Sequence, residues 1–337
     1  MPMLDVFHSD VFGVLSLTTA LNKLPYIPSR LGQSGLFRAQ GVSTLVVMIE
    51  ERDGKLALVQ TASRGAMPNA ATTVARKAKA FRIPHIPMNG AILADDVQGV
   101  RAFGSETELE TVAGMMNDKL SRMKQDLEAT EEWHRIGAIQ GVTYDADGTS
   151  VIYNWYTEFG ITPLAVAFDF TNAQSVKLKA AQVRRRMEDG LGMTTYTGIR
   201  AFCGKNVFDS LMTSTEIRNA YDRYQESVFW RENQVRGQFV YGGVTWEEYR
   251  GQVGATPFIA DSQVRFVPEG VQDLFECYYG PADFVETVNT KGLPMYAKQE
   301  EMRFGKGIEL HVQTNPLYVC TRPQVLVMGY DQAVGSA

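Results

Sequence analysis

From Leu109 the apolar positions recur at alternating steps of three and four: Leu109, Val112, Met116, Leu120, Met123 and Leu127, with Thr130 and His134 continuing the row. One face of an α-helix has this period. Ser105-Glu-Thr-Glu108 opens it as a capping box, with Ser at N-cap and Glu at N3, and Gly141 stands where a C′ glycine belongs. The spacing therefore predicts a helix over 105–140, about 35 residues, or roughly 50 Å at ~1.5 Å per residue. That is far longer than an average helix. Gly114 and Gly137 weaken it somewhat.

Upstream, VSTLVVMIEERDGKLALVQTAS sets two β-rich runs around Asp53-Gly54, whose residues favour the positive φ of a tight hairpin turn. FRIPHIPM resumes extended structure, and Pro84 and Pro87 restrict it to a sheet edge. Residues 41–92 thus read as a long two-stranded ribbon with a loose tip, which needs a partner surface. Residues 1–40, with one short helix before Pro25, read as an arm. Beyond the long helix, VTYDADGTSVIYNW is a hairpin around Asp147-Gly148. A mixed body follows: a strand in LAVAFDF, a polar helix near Ala173–Glu188, and GKNVFDSLMTSTEIRNAYDRY as a second helix. QFVYGGVTWEEYRG, SQVRFVPEG, GIELHVQTNPL and QVLVMGYD read as strands, the last two separated by Pro316 and Pro323. No internal repeat or low-complexity tract interrupts this order.

Composition changes little. Hydrophobic content of 45% and charged content of 21% fit a soluble globular chain. Net charge −5 argues against a protein whose main task is gripping duplex nucleic acid. The N-terminal MPMLDVFHSDVF carries acids and no basic region, unlike a signal peptide. No apolar run approaches the ~18 residues of a membrane span. Cys203, Cys277 and Cys320, an odd count without a CxxC pair, point away from a disulfide framework or zinc ribbon and towards a reducing cytosol.

The charge layout says more. Lys55, Arg64, Arg76, Lys77, Lys79 and Arg82 give residues 54–94 a charge of +6, with no carboxylate among them. In 95–132, Asp95, Asp96, Glu106, Glu108, Glu110, Asp118, Asp126, Glu128, Glu131 and Glu132 face only Arg101, Lys119, Arg122 and Lys124, so ten acids against four bases give −6. One reading is a solvated helix face beside a basic loop. The sharper one is self-association, the basic ribbon of one copy lying over the acidic rod of another and setting register.

Catalytic chemistry finds no foothold. His134 beside Glu131 and Glu132 is the most tempting acid–base cluster, yet it sits on the apolar helix face, as structural histidines do. His8, His85 and His311 share no ligand spacing with it. Tyr144-Asp-Ala-Asp-Gly148 resembles a calcium loop, but its Gly is fourth rather than sixth and no bidentate Glu follows. There is no Walker loop, GxGxxG, GxSxG or HExxH. Nothing brings Asp169 and Asp209 together as a carboxylate pair. No catalytic, cofactor or metal residue is assigned.

The order of parts resembles a tailed-phage major capsid protein, most closely the lambda-like family (capsid protein family E). Four segments carry the resemblance: ILADDVQGVRAFGSETELE before the helix, LEATEEWHRIGAIQGVTYDADGTSVIYNW leaving it, FVPEG in the body, and GLPMYAKQEEMRFGKGIELHVQTNPLYVCTRPQVLV near the end. It covers nearly the whole chain. It implies an α+β chain with the tailed-phage major capsid fold (Johnson fold) and no enzymatic activity. The arm would be 1–40, the extended β-hairpin loop 41–92, a peripheral domain 93–160 with the spine helix, an axial domain 161–300, and return strands of the peripheral domain 301–337. Copies would meet as hexamers and pentamers and close an icosahedral shell around double-stranded DNA, held without sequence-specific binding. Scaffold, portal and decoration proteins would be partners, with no membrane and no cofactor. The shell would be the virion head, built in the host cytoplasm through a procapsid. On this reading Lys55, Arg64, Arg76, Lys77, Lys79 and Arg82 would meet acids such as Glu106, Glu108, Glu110, Asp118, Asp126 and Glu128 of a neighbour. The rivals are another self-assembling virion component (tail or decoration), a cytosolic enzyme with an unrecognised site, and a nucleic-acid binder using the basic arm.

Overall fold

A computed structural model of the chain describes residues 18, 30–51, 77–97, 112–170, 175–192, 194–223, 238–253 and 256–332. The row of apolar residues forms a helix, Val112–Gln140; the capping box at 105–108 lies outside the described residues. The helix stops where predicted. Gly141 has φ +80°, and a Cβ there would sit 2.2 Å from the Tyr156 ring, so both backbone and space require glycine. The chain divides into two compact units: residues 1–47, 82–133 and 276–318, and residues 48–81, 134–275 and 319–337.

In the first unit, Met116, Leu120, Met123 and Leu127 are buried together with Ile92, Met295, Ala297, Ile308, Leu310 and Val312. The helix row therefore packs on a three-stranded antiparallel sheet ordered Tyr296–Glu301, Gly307–Thr314, Ile86–Leu93. Ile86–Leu93 is an edge strand, which is where Pro87 is tolerated. The opposite edge strand, YAKQEE, is polar and gives no period-2 signal; pairing with Gly307–Thr314 makes it a strand. A second sheet sets Arg38–Gly41 parallel to Phe275–Tyr279, which in turn neighbours Pro316–Cys320. Thr18 exchanges two hydrogen bonds with the backbone of Ala297, donating to its carbonyl and accepting from its N–H.

The second unit is built on a six-stranded mixed sheet. Its order is Leu164–Phe168, Val327–Asp331, Gln263–Glu269, Gly198–Cys203, Val244–Glu248, Gln238–Tyr241. The terminal strand Val327–Asp331 thus lies here, beside Leu164–Phe168, and not with Gly307–Thr314. Helix Ser175–Leu191 buries Val176, Ala180, Val183 and Met187 in the core that this sheet shares with Trp246, Phe168 and Phe266. The Glu216 carboxylate accepts from the N–H groups of Val176 and Lys177, capping that helix and complementing its dipole. The single helix expected over 204–224 is instead two, Lys205–Thr213 and Thr215–Arg223. Ser214 between them is extended, and its hydroxyl accepts from the Ile217 N–H as an N-cap does.

The hairpin after the helix is as expected, Val142–Tyr144 antiparallel to Val151–Asn154. Gly148 takes φ +70°, and Asp147 accepts from the Thr149 and Ser150 N–H groups and the Ser150 hydroxyl. Those bonds favour the carboxylate form and hold its pKa far below the ordinary range. The acidic run is thus a turn.

Two predictions follow from the helix. Leu120→Pro removes a backbone bond and clashes with the preceding turn, which costs ~3 kcal/mol or more. The variant should be insoluble or show a lowered urea midpoint; a wild-type midpoint would refute the helix. His134 is buried, and its Nε2 has no hydrogen-bond partner among the described residues. Burial, aided by Arg135 and opposed by Asp145, lowers its pKa from 6.5 to about 4. As pH falls between those values the unfolded chain takes up a proton that the folded chain refuses. Stability should therefore be lost as pH falls through this window, by roughly 3 kcal/mol. Urea titrations of wild type and His134→Gln at pH 7 and pH 4 should differ by that increment; parallel pH profiles would refute it.

Candidate intersubunit surface

The basic segment stands on a two-stranded base formed by Val46–Glu51 and Lys77–Arg82. Lys55, Arg64 and Arg76, with the Asp53-Gly54 turn, lie outside the described residues. In KAKAFR, Lys79 and Phe81 are two apart and share a strand face. Phe81 is buried among Tyr153, Trp155 and Phe159, with ring centroids 5.7, 5.2 and 6.0 Å away. Lys79 is half-buried, its Nζ 5.7 Å above the Phe159 ring. Part of the Lys79 charge is therefore met inside its own subunit, through a cation–π contact worth ~0.5–1 kcal/mol when exposed. Arg82 is exposed on the other strand face, and Lys77 begins the strand.

Sequence reading missed an apolar component of this surface. Val47 and Ile49 are buried, but the alternate residues Val46 and Met48 are exposed, at 42% and 61%. The unbroken run LVVMI reads as a strand buried on both faces, and in the isolated subunit one face stays open. Continuous apolarity was the available signal.

The acidic partners fare unevenly. Asp118 and Asp126 are exposed, as are Lys119 and Arg122. Glu128 is not: it is 4% exposed, and its carboxylate lies 3.7 Å from the Lys124 ammonium one helical turn back. Glu131 and Glu132, counted with the same acidic stretch, are also buried. Glu131 accepts from the Thr314, Tyr318 and Tyr279 hydroxyls, and Glu132 from the Leu31 and Gly32 N–H groups. Glu106, Glu108 and Glu110 lie outside the described residues. The solvated acidic stripe is therefore smaller than the charge count implies.

No group of three or more His, Cys, Asp and Glu among the described residues could hold a metal. Cys203, Cys277 and Cys320 are buried and form no disulfide among the described residues. Burial pushes the Cys203 and Cys320 thiols up, so they stay protonated and pack as small apolar groups. His85 bonds the Asn315 side chain through Nδ1, with the Asp283 carboxylate 3.9 Å from its Nε2, and His311 bonds the Asn89 side chain. The described helices include none long and apolar enough to cross a membrane.

Comparison with known proteins places this geometry. The major capsid protein of Pseudomonas phage KPP10 is 29% identical over 343 residues, covering 94% of this chain and 96% of that one. A prophage protein of E. coli CFT073 solved as a candidate capsid protein superposes with TM-score 0.59 at 14% identity, over 95% of this chain and 99% of its own. A chain from the capsid structure of cyanophage P-SCSP1u gives TM-score 0.52 at 8% identity, over 89% of this chain and 87% of its own. The two structural likenesses speak to fold, the α+β fold of tailed-phage capsids. The family described as phage major capsid protein E matches residues 13–329, taking in nearly every element above, and the chain belongs to that family.

Proposed function

We propose that copies of this chain associate as hexamers and pentamers and close an icosahedral shell around a packaged double-stranded DNA genome. This is the finer form of the major capsid role that family membership gives it. The observation that carries the reading is the family match along residues 13–329, a family of structural capsid proteins and not of enzymes. The chain's place is the virion head; assembly in the host cytoplasm, with scaffold, portal and decoration proteins, belongs to the proposal. So do the divisions into arm 1–40, extended loop 41–92, peripheral domain 93–160 with 301–337, and axial domain 161–300. The sheet packed on the long helix supports a peripheral domain, and the six-stranded sheet supports an axial one, built from residues 164–269 together with Val327–Asp331 of the 301–337 segment. Light scattering on virion-derived or scaffold-coexpressed protein should give megadalton particles. A monomer under all such conditions would overturn the reading.

In the shell, Lys55, Arg64, Arg76, Lys77, Lys79 and Arg82 of one copy meet exposed acids of the next. Asp118 and Asp126 are the described candidates; Glu106, Glu108 and Glu110 remain proposed with them. Glu128, buried on Lys124, drops out of the set. Each exposed pair contributes only about 0–1 kcal/mol. A closed shell repeats the contact many times, so reversing Arg76, Lys77 and Lys79 to Glu should cut shell yield strongly at low salt. Wild-type shells should weaken as salt shortens the Debye length from ~10 Å. Because Lys79 also serves Phe159 within its subunit, Lys79→Glu alone is the control and should lower subunit melting only slightly. A triple variant that assembles like wild type, or whose main defect is subunit unfolding, would sink the contact.

A further inference from the structure

Two arginines stand on the same face of the six-stranded sheet, the face opposite Val264 and Phe266, and they are treated differently. Arg200 bridges two carboxylates, Glu247 at 3.1 Å and Glu269 at 2.5 Å. Among the described residues Arg265 meets none. There its one hydrogen bond goes to the side-chain oxygen of Gln263, at 2.7 Å, and its Nε is shielded from solvent without a partner. Yet a guanidinium does not shed its charge to escape burial. Burial pulls the Arg265 pKa down, against the Tyr156 and Tyr144 phenols beside it. A buried donor left unmade is costly.

Arg265 lines a pocket of 420 Å³ whose polar wall also holds Gln140, Tyr144, Asn154, Tyr156 and Thr157. Asn154 gives its oxygen to the Thr157 N–H, which leaves its amide NH₂ as a donor. Among the described residues no carboxylate lines the pocket. All these groups belong to one unit, so the cavity is a property of that unit alone. Its size falls in the range of ligand sites, about 300–1,000 Å³.

We propose that this pocket is an anion site that takes a carboxylate side chain of a neighbouring copy, clamped by Arg265 and supported by Asn154 and the two tyrosines. The choice of a neighbour rests on the shell reading above. Carboxylate is favoured over a DNA phosphate because a phosphate backbone is held by clustered cations, and among the described residues that line the pocket Arg265 is the one cation, in a chain of net charge −5. The chain's own 38 acids supply the partner in every copy.

The test has a free-subunit arm and a shell arm, both on the full chain. Glutarate titrated into the subunit should shift the Arg265 Nε–H NMR signal saturably, and inorganic phosphate should leave it. No saturable shift with glutarate, or an equal response to phosphate, would overturn the carboxylate site. In shells, Arg265→Gln should speed dissociation in guanidinium roughly tenfold or more, the scale of one lost charged hydrogen bond, with subunit melting near wild type. Should Arg265→Gln not fold, Asn154→Asp supplies a carboxylate from within and should loosen shells by the same factor while the subunit stays folded. Normal shells from these variants would overturn the pocket and leave the capsid reading intact. A wild-type chain that forms no shells would overturn that reading, and the neighbour as occupant with it.

Discussion

A carboxylate on a buried stretch of helix cannot be satisfied by that helix, whose interior N–H groups are already committed. Glu131 and Glu132 make this demand side by side. Glu131 is met by Thr314 and Tyr318 at 2.8 Å and Tyr279 at 3.2 Å, and Glu132 by the Leu31 N–H at 2.8 Å and the Gly32 N–H at 3.3 Å. The donors lie 100 to 187 residues away in sequence. Removing either end would leave a desolvated charge or an orphaned donor. The segment at 30–33, the strand ending at Tyr279 and the strands from 307 to 320 can therefore approach the helix in only one register. Apolar packing of Met116 to Leu127 is tolerant of small slips; these bonds are not.

The sequence made the local elements legible and hid the ones that exist only through pairing. The long helix announced itself because one face must be apolar at a 3.6 period, and Gly141 closed it. The hairpin at Asp147-Gly148 was equally plain, since its turn bonds are made within four residues. Tyr296–Glu301 was missed because its composition is polar. Gly198–Cys203 and Phe275–Tyr279 were missed because runs of consecutive buried residues, Ala201–Cys203 and Phe275–Cys277, erase the alternation that marks a strand. The break at Ser214 was written in the run Thr213-Ser214-Thr215, whose hydroxyls compete for backbone bonds.

Charge was the least legible feature of the candidate surface, because counting signs along a chain ignores which side of a helix they occupy. Glu131 lies four residues beyond Leu127 and so belongs to the apolar row. Glu128 lies four beyond Lys124, at the spacing of an internal pair. Helical geometry alone would have removed both from the solvated set. Asp118 and Asp126, one row away, do stay in water. For the basic strand the alternation of KAKAFR places Lys79 on the side of Phe81, which is why its ammonium ends above the Phe159 ring.

The base of the loop and its tip thus answer to different forces. At the base, Phe81, Tyr153, Trp155 and Phe159 stack or meet edge to face, and such aromatic pairs add about 0.5–1.5 kcal/mol each beyond burial. That anchors the strand without help from another chain. Beyond it, residues 63–76 have little apolar material from which to build a core, and their cations are suited to many weak contacts rather than one strong one. In a closed shell, the pairing proposed for these cations would give this division a physical use. Weak, screened pairs would let a misplaced copy leave before closure, whereas the anchored base would keep the strand's origin fixed so that each correct copy finds the same register. Strength would then come from repetition around the shell and not from any single bond.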